Sequence, residues 1–307
     1  MADYTQAIQL DPADGWAYLG RGVVKSAKRD YDEAVVDIDQ AIHLRPRFLE
    51  AYFYRGVANF GKGDYSAAIA DFTKAIGLDQ KLVRAYLGRG MAKSRNGDDD
   101  SAMADYDKAI EIEPKFTNAY ISRGRAKARK GDFDAAIADF NKAIVLNPKD
   151  AHAYYNRALI DQIKGEQAKA LADFIRCTEI DEKHDYAHIR IWLLRIRLGQ
   201  SDQANQELST YVARRWELSP NDWVSKVIGH LLDKNTEADF FAASSSSDPR
   251  KDREQHCEAW YYAGLKHLLK GDKGAAVDYF NKCLATQLTN FDETQLAEAE
   301  LKALGQN

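Results

Sequence analysis

An all-α solenoid of helical hairpins is the fold this sequence predicts, on three observations. The chain repeats every 34 residues, so that Ala17-Tyr18, Ala51-Tyr52, Ala85-Tyr86, Ala119-Tyr120 and Ala153-Tyr154 fall into register. Within each period apolar residues recur twice at three-and-four spacing, the mark of two amphipathic helices. Between those two runs, helix-stopping and helix-starting residues recur as well.

Residues 15–48 illustrate the unit. Tyr18, Gly22 and Val23 mark one helix, and Ala34, Ile38, Ala41 and Ile42 the next. A small residue at Gly22, Gly56, Gly90, Gly124, Ala158 and Gly264 lets the two backbones approach closely. Gly63, Gly97, Gly131, Gly165, Gly199 and Gly271 end first helices. Asp64, Asp98, Asp132 and Asp272 follow as N-caps. Asp30 with Glu33 spells a capping box. Pro12, Pro46, Pro114 and Pro148 close second helices.

The expected organisation is a half repeat at 1–14, five repeats at 15–184, and a degenerate repeat at 185–217 with Trp192 in the small-residue position. An irregular segment at 218–256 follows, with helices from about Pro220 to Asp233 and over Ala238–Ala243 and a loop at Ser244–Pro249. A further repeat at 257–290 and a capping helix and tail at 291–307 complete the chain. Because residues 1–14 match a second helix alone, an upstream first helix is expected, and with it room for a signal peptide, an anchor or a further domain.

The pattern A-Y-x-x-R-G … G-D-[YF]-x-x-A-[IV]-x-D-[FYI]-x-x-A-I-x-L-x-P resembles the tetratricopeptide repeat. That resemblance implies a right-handed superhelix whose first helices line the concave face and which binds other proteins without catalysing a reaction. Residues 185–304 also resemble bacterial repeat lipoproteins of the NlpI type, through Trp223, Ile228-Gly229, Cys257–Gly264, Gly271-Asp272 and Asn290-Phe291-x-Glu293. This second resemblance implies an adaptor for proteases and cell-wall hydrolases, in a bacterial cytoplasm or, with a leader upstream, a periplasm.

Composition narrows the function. A net charge of −4 gives no overall basic excess for nucleic acid, and no run of 18 apolar residues is present to span a membrane. Three scattered cysteines read as small buried hydrophobes and not as a disulfide framework. Gly20–Ser26 and Gly88–Ser94 lack phosphate-loop spacing and are one helix segment seen twice. His184 and His188, one turn apart, and His256-Cys257 lack a second ligand pair nearby. No cofactor, metal or catalytic constellation is expected.

Charge is segregated by helix. The six first-helix windows from 15–28 to 185–198 carry 19 lysines and arginines against three acids, Glu50, Asp161 and Asp185. Arg21, Arg55, Arg89, Arg123 and Arg157 recur with Asp37, Asp71, Asp105, Asp139 and Asp173, and read as an ion-pair ladder. Spacing leaves pairing within a repeat or with the preceding repeat equally open. The remaining cations concentrate at Arg84, Lys93, Arg95, Arg125, Lys127, Arg129 and Lys130, among the apolar Phe53, Leu87, Met91, Ile121 and Tyr155. An apolar floor with basic flanks suits an acidic, partly apolar peptide or helix. His152 and Asn156 stand on the same expected face as backbone contacts.

The carboxylate clamp that some tetratricopeptide repeats use is absent, since its positions hold Leu19, Val23, Tyr54, Arg84 and Gly88. The expectation is therefore a non-catalytic adaptor. The alternatives are a self-associating scaffold, or a regulatory module of a larger enzyme or lipoprotein.

Overall fold

The computed structural model describes residues 1–216, 222–288 and 292–306. Among them the chain is all helix and turn, and it divides into two compact units. Unit one comprises Met1–Lys130 and Asp134–Leu146, and unit two comprises Gly131–Phe133 and Asn147–Asn307.

Unit one holds α1 (Ala2–Leu10), α2 (Gly15–Ala27), α3 (Tyr31–Leu44), α4 (Leu49–Lys62), α5 (Tyr65–Leu78), α6 (Val83–Arg95), α7 (Asp99–Ile112), α8 (Thr117–Arg129) and most of α9 (Phe133–Leu146). Helices α2, α4, α6 and α8 are first helices and pack on one another in sequence; each also packs on the second helix before it. Second helices have at most marginal contact among themselves. A stack closer on one side than on the other must curve, so within this unit the first helices lie on the inner side.

The glycines and aspartates singled out in the sequence close several of these hairpins. Gly56 and Gly124 sit against the rings of Phe72 and Phe140, where an added Cβ would come within 2.9 and 2.7 Å. Asp64 and Asp98 cap their helices through Ala67 N–H and Ser101 N–H, each at 3.0 Å. The left-handed turn that Gly63 makes at φ +91° is made in the first repeat by Arg29, at φ +69°. The capping box expected at Asp30 and Glu33 does not form. Asp30 makes no side-chain cap bond, and Glu33 is drawn off to Lys25 at 3.3 Å.

Unit two holds α10 (Ala151–Ile163), α11 (Gln167–Ile180), α12 (Asp185–Arg197), α13 (Ser201–Trp216), α14 (Trp223–Leu231), α15 (Glu237–Ala243), α16 (Pro249–Leu269), α17 (Lys273–Leu284) and α18 (Asp292–Ala303). Its core gathers Phe174, Ile189, Leu193, Phe240, Tyr262 and Phe280, each at most 1% exposed. Pro220, Asn221, Asn290 and Phe291, named above as a helix start and as part of a resemblance, lie outside the described residues. No described helix is long and apolar enough to cross a membrane.

Candidate partner-binding site

The recurrent arginines are held by a three-way arrangement. Arg123 donates from Nε and Nη2 to Asp139 at 2.9 and 2.6 Å, within its own repeat, and from Nη1 to Asp107 of the preceding repeat at 2.5 Å. Arg55 does the same with Asp71 and Asp39, while Arg89 takes Asp105 and the Thr73 hydroxyl. Arg21 takes Asp37, and Arg157 takes Asp173. Three residues before each arginine, the tyrosine of the A-Y-x-x-R pattern lies under the guanidinium at 5.6–5.7 Å. The Asp139 hydrogen bond, ahead of the opposing effect of burial, holds the Arg123 guanidinium well above its ordinary range.

One turn past four of the five arginines, a further donor serves the same aspartate. Lys25, Lys93 and Lys127 reach Asp37, Asp105 and Asp139 at 2.8–2.9 Å, and Asn59 reaches Asp71 at 3.0 Å. In the next repeat that position is Asp161, which is 7% exposed. Burial, then the charge of Asp173, raises its carboxyl above the usual range.

These pairings thin out the cations expected to meet a partner. Lys93 and Lys127 belong to the ladder. Arg129 forks onto Asp99 at 2.9 and 2.6 Å, and Lys130 pairs with Asp100. Arg84 and Arg125 remain: both are exposed, and among the described residues no acid pairs with either. Arg95 is also exposed.

Arg84, Leu87 and Met91 occupy one face of α6 at i, i+3 and i+7, and Ile121 and Arg125 one face of α8. Met91 is 37% exposed. Leu87 and Phe53 are half-buried, Phe53 with its ring 5.8 Å from that of Phe72, and Ile121 is buried. Val57, a turn beyond Phe53, is 39% exposed and belongs to this face. Sequence reasoning passed it over, although it occupies the repeat position of Met91. The unit-one face is thus an apolar strip carrying two unpaired arginines.

His152, Tyr155 and Asn156 belong to unit two. Asn156 donates back to the His152 carbonyl at 2.7 Å. Tyr155 is buried, stacked on His184 at 4.4 Å, and its phenol is pushed well up by burial and by the charge of Asp292.

Helix α18 packs chiefly on α17 and α16, touches α10, and reaches α12 through side-chain ion pairs. Arg190, fully buried, meets Glu293 at 2.7 Å, and Arg197 meets Glu300 at 2.5 Å. Both partners advance by seven residues, so α18 runs parallel to α12 and in register with it. Leu296 and Leu301 bury the apolar side of the same helix. Here the chain itself shows an acidic, leucine-bearing helix seated on a basic first helix. Leu296, Leu301 and Leu304 marked this segment in the sequence as a capping helix, but no sequence signal named α12 as a surface that receives it.

A cavity of about 570 Å³ opens between α11, α12 and α13. It lies where the ladder lapses: Ile191 stands in the arginine position, Glu207 in the aspartate position, and Ile175 where Asp107 stands two repeats earlier. His184 and His188 have structural partners, His184 accepting from Ala187 N–H and His188 stacking on Tyr211 at 3.6 Å. Among the described residues no group of three or more potential metal ligands forms.

Family models of the tetratricopeptide repeat match residues 19–83, 83–116 and 151–184, and one of the TPR repeat matches 124–161; together they span more than half of the chain. No curated protein matches. Among solved structures the chain is similar to PilW, described as a widely conserved type IV pilus biogenesis factor, with a TM-score of 0.58 and 18% identity over 70% of this chain and 97% of that one. It is similar to PilF of Pseudomonas aeruginosa, with a TM-score of 0.56 and 16% identity over 72% and 98%. It is also similar to a TPR protein of Thermus thermophilus, TTC0263, with a TM-score of 0.51 and 19% identity over 59% and 98%. At these identities the likeness is one of fold. Period, hairpin geometry and family models agree: the chain belongs to the tetratricopeptide repeat proteins, a family of protein-interaction scaffolds.

Proposed function

We propose that the chain is a non-catalytic adaptor whose unit-one first-helix face binds an acidic, partly apolar helix or peptide of a partner protein. The carrying observation is the contrast among its cations. Lys93, Lys127, Arg129 and Lys130 are neutralised by aspartates, whereas Arg84 and Arg125 stand unpaired on the strip that exposes Val57 and Met91. Arginine beside apolar surface is the usual composition of an interface hot spot. The seating of α18 on α12 supports the same mode of recognition, and the NlpI-type resemblance of residues 185–304 agrees with an adaptor role.

The test is a photo-cross-linker placed at Met91, with Val145 on the second-helix α9 as control, followed by mass spectrometry of the captured segment. The expected product from Met91 is a segment rich in Asp, Glu and Leu, lost in Arg84→Glu/Arg125→Glu. Capture that survives this charge reversal, or that occurs equally at Val145, overturns the reading.

A further inference from the structure

Away from the binding face, α16 and α17 bring two thiols together. Cys257 and Cys283 are both fully buried, and their sulfurs lie 2.8 Å apart. Carbon atoms in unbonded contact stay about 3.5–4.0 Å apart, and sulfur is the larger atom, while a disulfide bond is about 2.05 Å long. The spacing is therefore shorter than packing alone gives and longer than a bond, and it places the two thiols within reach of one another.

Register explains the meeting. Cys257 occupies the first position of its repeat and Cys283 the twenty-seventh. In the first repeat the same two positions are Gly15 and Ala41, and a Cβ built on Gly15 would lie 3.5 Å from the Ala41 carbonyl oxygen. The hairpin thus juxtaposes these positions wherever it forms, and only the last repeat fills both with cysteine. In the fifth repeat Cys177 stands at the twenty-seventh position but faces Ala151 at the first.

We propose that Cys257 and Cys283 form an intrachain disulfide that staples α16 to α17, with a low-molecular-weight disulfide such as oxidised glutathione as the oxidant. One cysteine, as thiolate, attacks a sulfur of that disulfide, forming a mixed disulfide and releasing one glutathione thiolate. The other cysteine, as thiolate, then attacks the protein sulfur and expels the second. Two cysteine thiols give up two electrons and two protons, and one glutathione disulfide becomes two glutathione thiols.

While the hairpin is closed the reduced pair is shielded. The hydrogen bond with Cys257, and burial after it, push the Cys283 thiol far up, and only thiolates exchange. Exchange belongs to folding or to local opening of the hairpin. Once formed, the staple fixes the pair of helices on which α18 packs.

The experiment refolds the full chain from urea in a buffer of reduced and oxidised glutathione, so that burial sets no kinetic barrier. The product is then denatured, alkylated and analysed by mass spectrometry. One alkylated cysteine, Cys177, together with a linked pair of peptides containing Cys257 and Cys283, is the expected result. A Cys177→Ala chain should accept no alkyl group, and the oxidised wild type should melt above the dithiothreitol-reduced form. Three alkylated cysteines, stable mixed disulfides with glutathione, or a bridge to Cys177 each overturn the proposal. Cys283→Ser, in which two alkylatable cysteines are expected, controls for assignment.

Discussion

Arg123 forks onto Asp139 across its own hairpin and turns its third nitrogen back to Asp107, so one side chain ties two helices together and joins them to the preceding repeat. Asp139 is only 4% exposed, and without Arg123 its carboxylate keeps Lys127 but loses the two-nitrogen fork, which is costly for a buried charge. Arg123→Met is expected to lower stability by about 3 kcal/mol. The double variant Arg123→Met/Asp139→Leu should recover most of that loss, because the one charge it leaves without Asp139 is Lys127, whose partly exposed side chain can turn to water. Urea midpoints decide the matter, and a double variant as unstable as the sum of the two single changes contradicts it.

Asp161 offers the reverse case. It faces Asp173 from the position where Asn59 and Lys127 serve their own aspartates. Asp161→Asn copies the second repeat and should raise stability by about 1 kcal/mol near neutral pH. Since burial and Asp173 raise the Asp161 carboxyl, protonation relieves the conflict in acid, and the gain should shrink as pH falls toward 4. Thermal melts at two pH values test both parts. An unchanged or lowered melting temperature at pH 7 contradicts the arrangement.

A third expectation concerns pH and the buried end of unit two. Glu258 is held near Tyr186 and Trp223, which donate to it at 2.9 and 2.8 Å. Burial, then the charge of Glu293, raises it to about 8. Its folded form therefore binds a proton more readily than its unfolded form. Its contribution to stability is complete below the ordinary glutamate range and is lost as pH rises toward 8. His230 runs the other way: burial lowers it to about 4, so it costs stability only below about pH 6.5. Between pH 6.5 and 8, stability should fall by up to about 1.4 kcal/mol per pH unit in wild type. The fall should be flatter in Glu258→Gln, which keeps an acceptor for both donors. Equal slopes in the two proteins would count against the assignment.

Much of this was legible because repetition reports on itself. A residue recurring every 34 positions on one helix, with an acid recurring on the next, announces a shared contact. Its geometry was not announced: the preceding repeat answers through Asp39 and Asp107, two residues beyond the ladder aspartates, and this depends on the pitch between hairpins. Counting charges along a helix likewise finds cations without finding their partners. Lys93, Lys127 and Arg129 looked equivalent to Arg84 and Arg125 until the aspartates of neighbouring helices were in place. The seat of α18 rests on pairs 103 residues apart, Arg190 with Glu293 and Arg197 with Glu300. No local pattern encodes a separation of that size.

The pairing of Arg129 with Asp99 and Ser94 also shapes any mutagenesis of the binding face. Arg129→Glu is expected to destabilise unit one by about 2 kcal/mol or more, since it sets one carboxylate against another. Arg84→Glu should cost less than about 0.5 kcal/mol, as its side chain is exposed and unpaired. Circular dichroism melts of the two variants separate these outcomes, and equal melting temperatures would contradict the distinction between engaged and free arginines.

Affinity tests the functional reading most directly. The full chain would be titrated calorimetrically with the segment captured at Met91, in wild type, in Arg84→Glu/Arg125→Glu and in Lys115→Glu/Lys142→Glu. The last variant makes the same change of charge at exposed lysines outside the first helices. Loss of about a hundredfold in affinity is expected from the arginine pair, roughly tenfold for each contact, with a weaker dependence on salt. The lysine pair should change affinity less than about threefold. Equal losses in both variants, or none in the arginine pair, would contradict a partner-binding face built on Arg84, Leu87, Met91 and Arg125.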